Sequence, residues 1–263
     1  MHEPARQRLM LMILGAVFAF LYIPISVLVA LSFNEGGLPT VWTGFSLKWY
    51  GALWQNADIL AAGLNTLIVA LISTALATVL GTLLAIGVEL RRHRGRGLEA
   101  LIFAPMIIPD IVLAIALLSF FSLLKVPMGL PTIVAAHVVF NLAFVCAVVR
   151  ARLRSFDWAI VEASADLGAG FATSLWRIVL PVLAPAIVAG ALLAFTLSVD
   201  EFIIAFFTAG AGRSSTTLPM QIYAMIRFGV TPEINALATL VLGLSVTALA
   251  LAQWLNKGRL PGQ

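Results

Sequence analysis

Apolar residues in this chain come in runs of about twenty, and that length constrains the fold more than any motif does. A helix rises 1.5 Å per residue, so a run of about twenty matches the hydrocarbon thickness of a bilayer. Six such runs follow one another, at 9–31, 59–88, 98–124, 132–149, 182–205 and 236–255, and little sequence is left between them. The expected fold class is all-α, a polytopic integral membrane protein of six transmembrane helices, with residues 1–263 forming a single transmembrane domain. A hydrophobic share of 61%, a charged share of 11% and a mean hydropathy of +1.04 exclude an ordinary soluble domain. The first run is longer than a signal-peptide core and no small-residue cleavage pattern closes it, so it reads as a first span.

A net charge of +4 could be taken for a nucleic-acid footprint, but the basic residues sit in short clusters between the runs. That placement is what membrane orientation requires, and no nucleic-acid partner is expected. Arg6, Arg8, Arg91, Arg92, Arg94, Arg96, Arg150, Arg152, Arg154, Arg177, Lys257 and Arg259 fall on the side of the termini; Lys48, Lys125, Arg213 and Arg227 fall opposite. Both termini and the loop 150–181 are therefore expected in the cytoplasm, the side that collects Lys and Arg. The arginine knot 91–96 serves that retention; anionic lipid or a partner protein are its other uses. A single cysteine, Cys146, makes no internal disulfide.

Local patterns refine the runs. Trp49, Tyr50 and Trp54 in the first external connection suit an interfacial aromatic belt better than a cation cage. Pro105 and Pro109 remove two backbone donors four residues apart, which predicts a kinked third span. Ala186, Gly190 and Ala194 share one face of the fifth span and predict close helix packing. A short helix is expected between the proline-marked bends of 210–235.

Chemistry is confined to few places. There is no G-x-x-x-x-G-K-[ST] phosphate loop, no HExxH, no paired cysteines, and His2, His93 and His137 lie in different segments. The chain is not expected to be an enzyme; if ATP drives it, another chain hydrolyses the ATP. Asp110, Asp200 and Glu201 are carboxylates at or near membrane depth, where an ionisable residue marks a solute path by default. Carboxylates suit a cationic solute because they replace part of the water stripped from an ammonium group. Adjacent helical residues point about 100° apart, so Asp200 and Glu201 need not both face a path. The alternative is that one caps a broken helix or pairs with Arg213 or Arg227. Phe202, Phe206 and Phe207 read either as an apolar gate beside them or as simple helix contacts.

Between the fourth and fifth runs lies EASADLGAGFATSLWRIVLP, residues 162–181. Ser155 or Asp157 can cap a short helix through Leu167, Gly168 can end it in the left-handed conformation, and Thr173 can cap a second helix into Pro181. Two short helices at an angle on the cytoplasmic face offer a helix for a partner's groove. Glu162, Ala163 and Ser164, then Gly168, then Ile178, Leu180 and Pro181, resemble at their spacing the EAA loop of permease subunits of ATP-binding-cassette importers. Ser164 stands where that family has alanine. The resemblance extends over all six runs, and SVDEF at 198–202 with TLPMQIYAMIRFGVTPEINALATL from Thr217 is similar to the second permease subunit of spermidine/putrescine importers.

The resemblance implies the type I importer permease fold in a bacterial inner membrane. It also implies transport of a small solute, polyamine first, from a periplasmic binding protein into the cytoplasm by alternating access. Amino-acid derivatives, other organic cations, iron and thiamine stay open as solutes. It assigns coupling to Glu162, Ala163, Ser164, Asp166, Gly168, Ile178, Leu180 and Pro181. The implied partners are a second, different permease subunit, two ATPase subunits and the binding protein. No cofactor is expected on this chain, with ATP and magnesium held by the ATPases. A stand-alone channel or secondary transporter would call for inverted repeats and a self-contained ion site, which the sequence does not display.

Overall fold

The computed structural model describes residues 3–37, 41–90, 96–227, 229 and 231–257. Arg91, Arg92, Arg94 and Arg259, with His2 and His93, lie outside these residues. Helices dominate, and the β pairing among the described residues is one isolated bridge, Asn34 to Phe45. In chain order the helices are α1 (Glu3–Leu31), α2 (Lys48–Gln55), α3 (Ala57–Leu90), α4 (Arg96–Ile107), α5 (Asp110–Leu123) and α6 (Leu130–Leu153). They continue with α7 (Ala159–Asp166), α8 (Phe171–Ser174), α9 (Leu180–Asp200), α10 (Ile203–Thr208), α11 (Leu218–Arg227) and α12 (Pro232–Lys257).

Four stretches are long and apolar enough to cross a bilayer: 9–31 of α1, α3, α6, and Phe171–Asp200, where α8, a π-helical turn and α9 join. α12 covers the sixth expected run. The third run departs from expectation, since α4 and α5 meet at a bend of 115° instead of forming one kinked span. Only one of the two prolines makes the break. Pro105 stays inside α4, whereas Pro109 adopts ψ 137 and forces Ile108 before it out of the helix.

The fifth run also differs. It starts earlier than expected, at Phe171, and ends at Asp200, with the separate helix α10 following. Pro181 explains the π-helical turn Leu175–Val179 just ahead of it. Its ring supplies no N–H for the carbonyl of Arg177, and Leu180 N–H bonds back five residues to Leu175.

The helices form two compact units, 1–60 with 222–263 and 61–221. The first is fastened around the turn after α1. Trp49 Nε1 donates to Asn34 O at 2.8 Å, and Tyr50 and Ser32 share a hydroxyl hydrogen bond of 2.7 Å. Two of the three predicted belt aromatics thus fasten α2 to the chain, while Trp54 remains exposed. Asn56 Nδ2 reaches Glu233 in the first turn of α12 at 3.1 Å.

In the second unit α3, α6 and α9 pack through small residues, as the stripe on the fifth run predicted. A Cβ on Gly190 would stand 3.4 Å from Val145 Cγ1, and one on Gly81 only 2.8 Å from Val145 Cβ. Glycine therefore sets how closely α3 and α9 approach Val145 of α6. The core there comprises Ala77, Ala85, Val145, Val149, Leu153, Leu183 and Ala194 among others. A second cluster joins α5, α6 and α10 through Leu117, Phe121, Phe140 and Ile204.

Candidate functional site

Two places hold the residues the sequence singled out. The first is the turn around α7. Asp157 Oδ1 accepts the N–H of Ala159 at 3.0 Å and so satisfies one free donor at the helix start; Ser155 instead bonds back to Arg152 O. At the other end Gly168 has φ +86, Gly168 N–H bonds to Ala165 O and Ala169 N–H to Ser164 O. That pair of bonds is a complete Schellman stop, and it uses Gly168 as expected. The second helix differs from expectation: it begins after Gly170 and not at Thr173, and it does not end at Pro181 but runs on as the span to Asp200.

Ser164 Oγ sits 2.7 Å from Ser174 Oγ, so the residue that departs from the resembled pattern ties α7 to α8. Glu162, Ala163, Asp166, Gly168 and Pro181 are exposed; Ser164, Ile178 and Leu180 are half-buried, the last two packed against the α3–α6–α9 core. Beside them Leu167 is 90% exposed and Trp176 71%, with Phe171 also exposed. Apolar side chains thus stand exposed around a helix that carries Glu162 and Asp166.

Arg150, at the end of α6 ahead of this turn, ties helices of the bundle to one another. The sequence reading took it as a loop charge; the structure buries it within the last turn of α6. Its guanidinium donates to both oxygens of Glu99 on α4, at 3.0 Å from Nη1, while Nε lies 3.5 Å from Glu89 Oε2 on α3. One cation so holds the ends of three helices, because the planar fork fits a carboxylate bidentately.

The second place is where two broken helices meet. Asp110 opens α5 just past the Pro109 break; Asp200 closes α9; Glu201 lies between α9 and α10. α5 and α10 pack together, and Asp110 is within electrostatic range of Glu201. The two adjacent carboxylates have different surroundings. Glu201 is buried, its side chain 7% exposed, and its Oε2 accepts the N–H of Ala205 at 3.1 Å. It caps α10, the alternative left open by the sequence. Asp200 is exposed and has no partner among the described residues, neither Arg213 nor Arg227. The rings of Phe202 and Phe206 lie 5.5 Å apart, tilted by 40°; Phe206 is exposed, and Phe207 meets Phe206 edge-on at 5.7 Å.

A residue the sequence reading passed over completes the arrangement. His137 on α6 is buried, with Nδ1 2.7 Å from Ser198 Oγ and Nε2 3.8 Å from Glu201 Oε2. The signal was present, since an ionisable side chain inside an apolar span is a functional candidate by the rule that selected Asp110. Its lack of any histidine or cysteine neighbour in sequence kept it from notice.

Comparison with known proteins agrees with this architecture. Residues 77–259 match the family described as binding-protein-dependent transport system inner membrane component. The chain is 40% identical over 248 residues to the spermidine/putrescine transport system permease protein PotC of Escherichia coli (strain K12), covering 94% of this chain and 93% of that protein. It is 45% identical over 245 residues to the putrescine transport system permease protein PotI of the same organism, covering 90% and 85%. The molybdenum transport system permease protein ModB of Mycobacterium bovis is 31% identical over 234 residues, covering 81% and 86%. Among solved structures, a chain of a bacterial ABC transporter involved in the import of alginate superposes with a TM-score of 0.74 at 15% identity, covering 96% of this chain and 98% of that one.

Proposed function

This chain belongs to the family of binding-protein-dependent transport system inner membrane components, and from that premise we propose that it is the permease subunit of an ATP-driven importer of polyamines. It works in the inner membrane as a multi-pass protein. One observation carries the reading: the 30-residue helix Phe171–Asp200 joins the exposed turn around α7 at one end to the carboxylate cluster at the other. At 1.5 Å per residue the rod is about 45 Å long, longer than a hydrocarbon core of about 30 Å. A force applied at Glu162 passes through the Ser164–Ser174 link into this helix and along it to Asp200.

Two ATPase subunits, which hold ATP and magnesium, grip this turn and its counterpart on a second permease. The α7 helix enters a groove of the ATPase with Leu167 leading, and Glu162, Ala163, Ser164, Asp166 and Gly168 shape that contact. Ile178, Leu180 and Pro181 form the joint to the bundle. ATP-driven closure draws the two turns together and opens the pathway toward the binding protein; release opens it inward.

The solute is a cation. Asp110, Asp200 and Glu201 place negative charge where two helices are interrupted, and an anionic solute would be repelled there. PotC and PotI carry spermidine and putrescine in their names, which fits di- and polyammonium cargo. In the assembled importer, Asp200→Asn with Glu201→Gln is expected to cut putrescine uptake at least tenfold at unchanged membrane abundance, as for loss of a charge-paired contact. Unchanged uptake would remove the cation reading.

A further inference from the structure

His137 sits inside the apolar run of α6, 1% exposed. Which of its nitrogens carries the proton is set by its partners. Nδ1 lies 2.7 Å from Ser198 Oγ on α9, and Ser198 Oγ lies 3.1 Å from Ser73 Oγ on α3. A hydroxyl has one proton to give and two lone pairs. Ser198 therefore either donates to Nδ1 and accepts from Ser73, or accepts from Nδ1 and donates to Ser73. Glu201 decides between them. Its Oε2 faces Nε2 at 3.8 Å, and Nε2 has no hydrogen-bond partner among the described residues. A bare lone pair turned toward a carboxylate is repulsive, while an N–H turned toward it is attractive, so the proton belongs on Nε2 and Ser198 donates to Nδ1.

The chain Ser73, Ser198, His137, Glu201 thus runs through α3, α9 and α6 into the break before α10. We propose that His137 is a positioning residue for solute passage: with Nε2–H turned to Glu201 and Nδ1 accepting from Ser198, it holds the Glu201 carboxylate charged and in place inside the break, beside Asp110 and Asp200. It does not touch the solute; it acts through Glu201. Without the imidazole, the carboxylate keeps only the backbone donors at the start of α10, Ala205 N–H at 3.1 Å among them, against the like charge of Asp110. It then gives up its charge or its place, because a buried charge needs compensation. This inference rests on the reading of the carboxylates as the solute's path.

The test uses the complete importer, with both permeases, the ATPases and the binding protein, in proteoliposomes, and radiolabelled putrescine as probe. The readout is putrescine moved per ATP hydrolysed, which a general loss of folded protein does not alter. His137→Leu is expected to lower that ratio roughly tenfold while hydrolysis stimulated by the loaded binding protein stays within about twofold of wild type. His137→Gln keeps an amide donor near Nε2 and is expected to recover the ratio to within about threefold. In a Glu201→Gln background His137→Leu is expected to add nothing further. A wild-type ratio for His137→Leu, or full additivity with Glu201→Gln, overturns the proposal. If His137→Leu fails to reach the membrane, His137→Asn, which keeps a polar group for Ser198 but does not reach Glu201, is read in its place, alone and with Glu201→Gln. Unchanged uptake in Asp200→Asn with Glu201→Gln overturns the path reading itself; a charge-sensitive pair with an indifferent His137 overturns the positioning alone.

Discussion

The chain interrupts a helix twice on the way from α7 to α10, and the two interruptions are built differently. At 167–170 the stop lies in the open: Gly168 takes the left-handed conformation, two backbone bonds close the end, and no charged side chain takes part. At 200–203 the stop is buried, and backbone alone does not complete it. The Glu201 carboxylate caps Ala205 N–H, and His137 with Ser198 stands behind the carboxylate. Water supplies missing partners at the first break; at the second the Glu201 side chain is shielded from it, and an unpaired polar group so buried costs several kcal/mol. The difference separates two tasks. The exposed stop leaves its side chains available for a partner protein, while the buried stop keeps a charge inside the bundle.

Substitutions can pull this comparison apart. The largest effect is expected at the buried stop. Glu201→Ala leaves Ala205 N–H without its side-chain acceptor, at about 1–3 kcal/mol, and removes the carboxylate that His137 Nε2–H faces. Membrane abundance measured by immunoblot should fall several-fold and uptake with it. Glu201→Gln keeps an acceptor and should retain abundance.

Next is the packing that brings the buried residues together. Gly81→Val puts a Cβ 2.8 Å from Val145 Cβ and 3.0 Å from Leu142 O. Overpacking of this kind is worth about 1–3 kcal/mol, and a lower thermal midpoint in detergent would record it. At the exposed stop, Gly168→Ala meets open space and faces only the strain of φ +86, about 1–2 kcal/mol, felt locally. Abundance should be unchanged and uptake reduced a few-fold. Smallest is Ser164→Ala, which removes the 2.7 Å link to Ser174, about 1 kcal/mol at a half-buried site. Uptake within about twofold of wild type is expected, since alanine is the residue of the resembled pattern.

Much of this was legible in the sequence, for identifiable reasons. Run length fixes the long helices because the bilayer sets a ruler, and Gly168 was predictable because few residues accept its backbone conformation. The third run shows the limit. Two prolines announced a disturbance, but whether each kinks or breaks the helix depends on neighbours, and only Pro109 separates α4 from α5. The break at Glu201 carries no glycine or proline at all, so the apolar pattern of 182–205 passes straight through it. It is held by the Glu201 carboxylate on Ala205 N–H and by His137 from α6, the latter a contact of long sequence separation that no local rule reports. Arg150 was hidden similarly, since a basic residue at the end of a run reads as a loop charge until Glu89 and Glu99 are seen to meet it.

The central claim is that hydrolysis elsewhere becomes motion here through the turn at α7. Glu162 is exposed on that turn, away from the buried network, so its charge can be reversed without disturbing the fold. In proteoliposomes bearing the complete importer with Glu162→Lys, putrescine uptake and ATP hydrolysis should be measured together against the same amount of inserted protein. The account predicts normal insertion with uptake reduced about a hundredfold or more and no stimulation of hydrolysis by the loaded binding protein, as for a charge reversal at a docked interface. Wild-type uptake by that variant would contradict it.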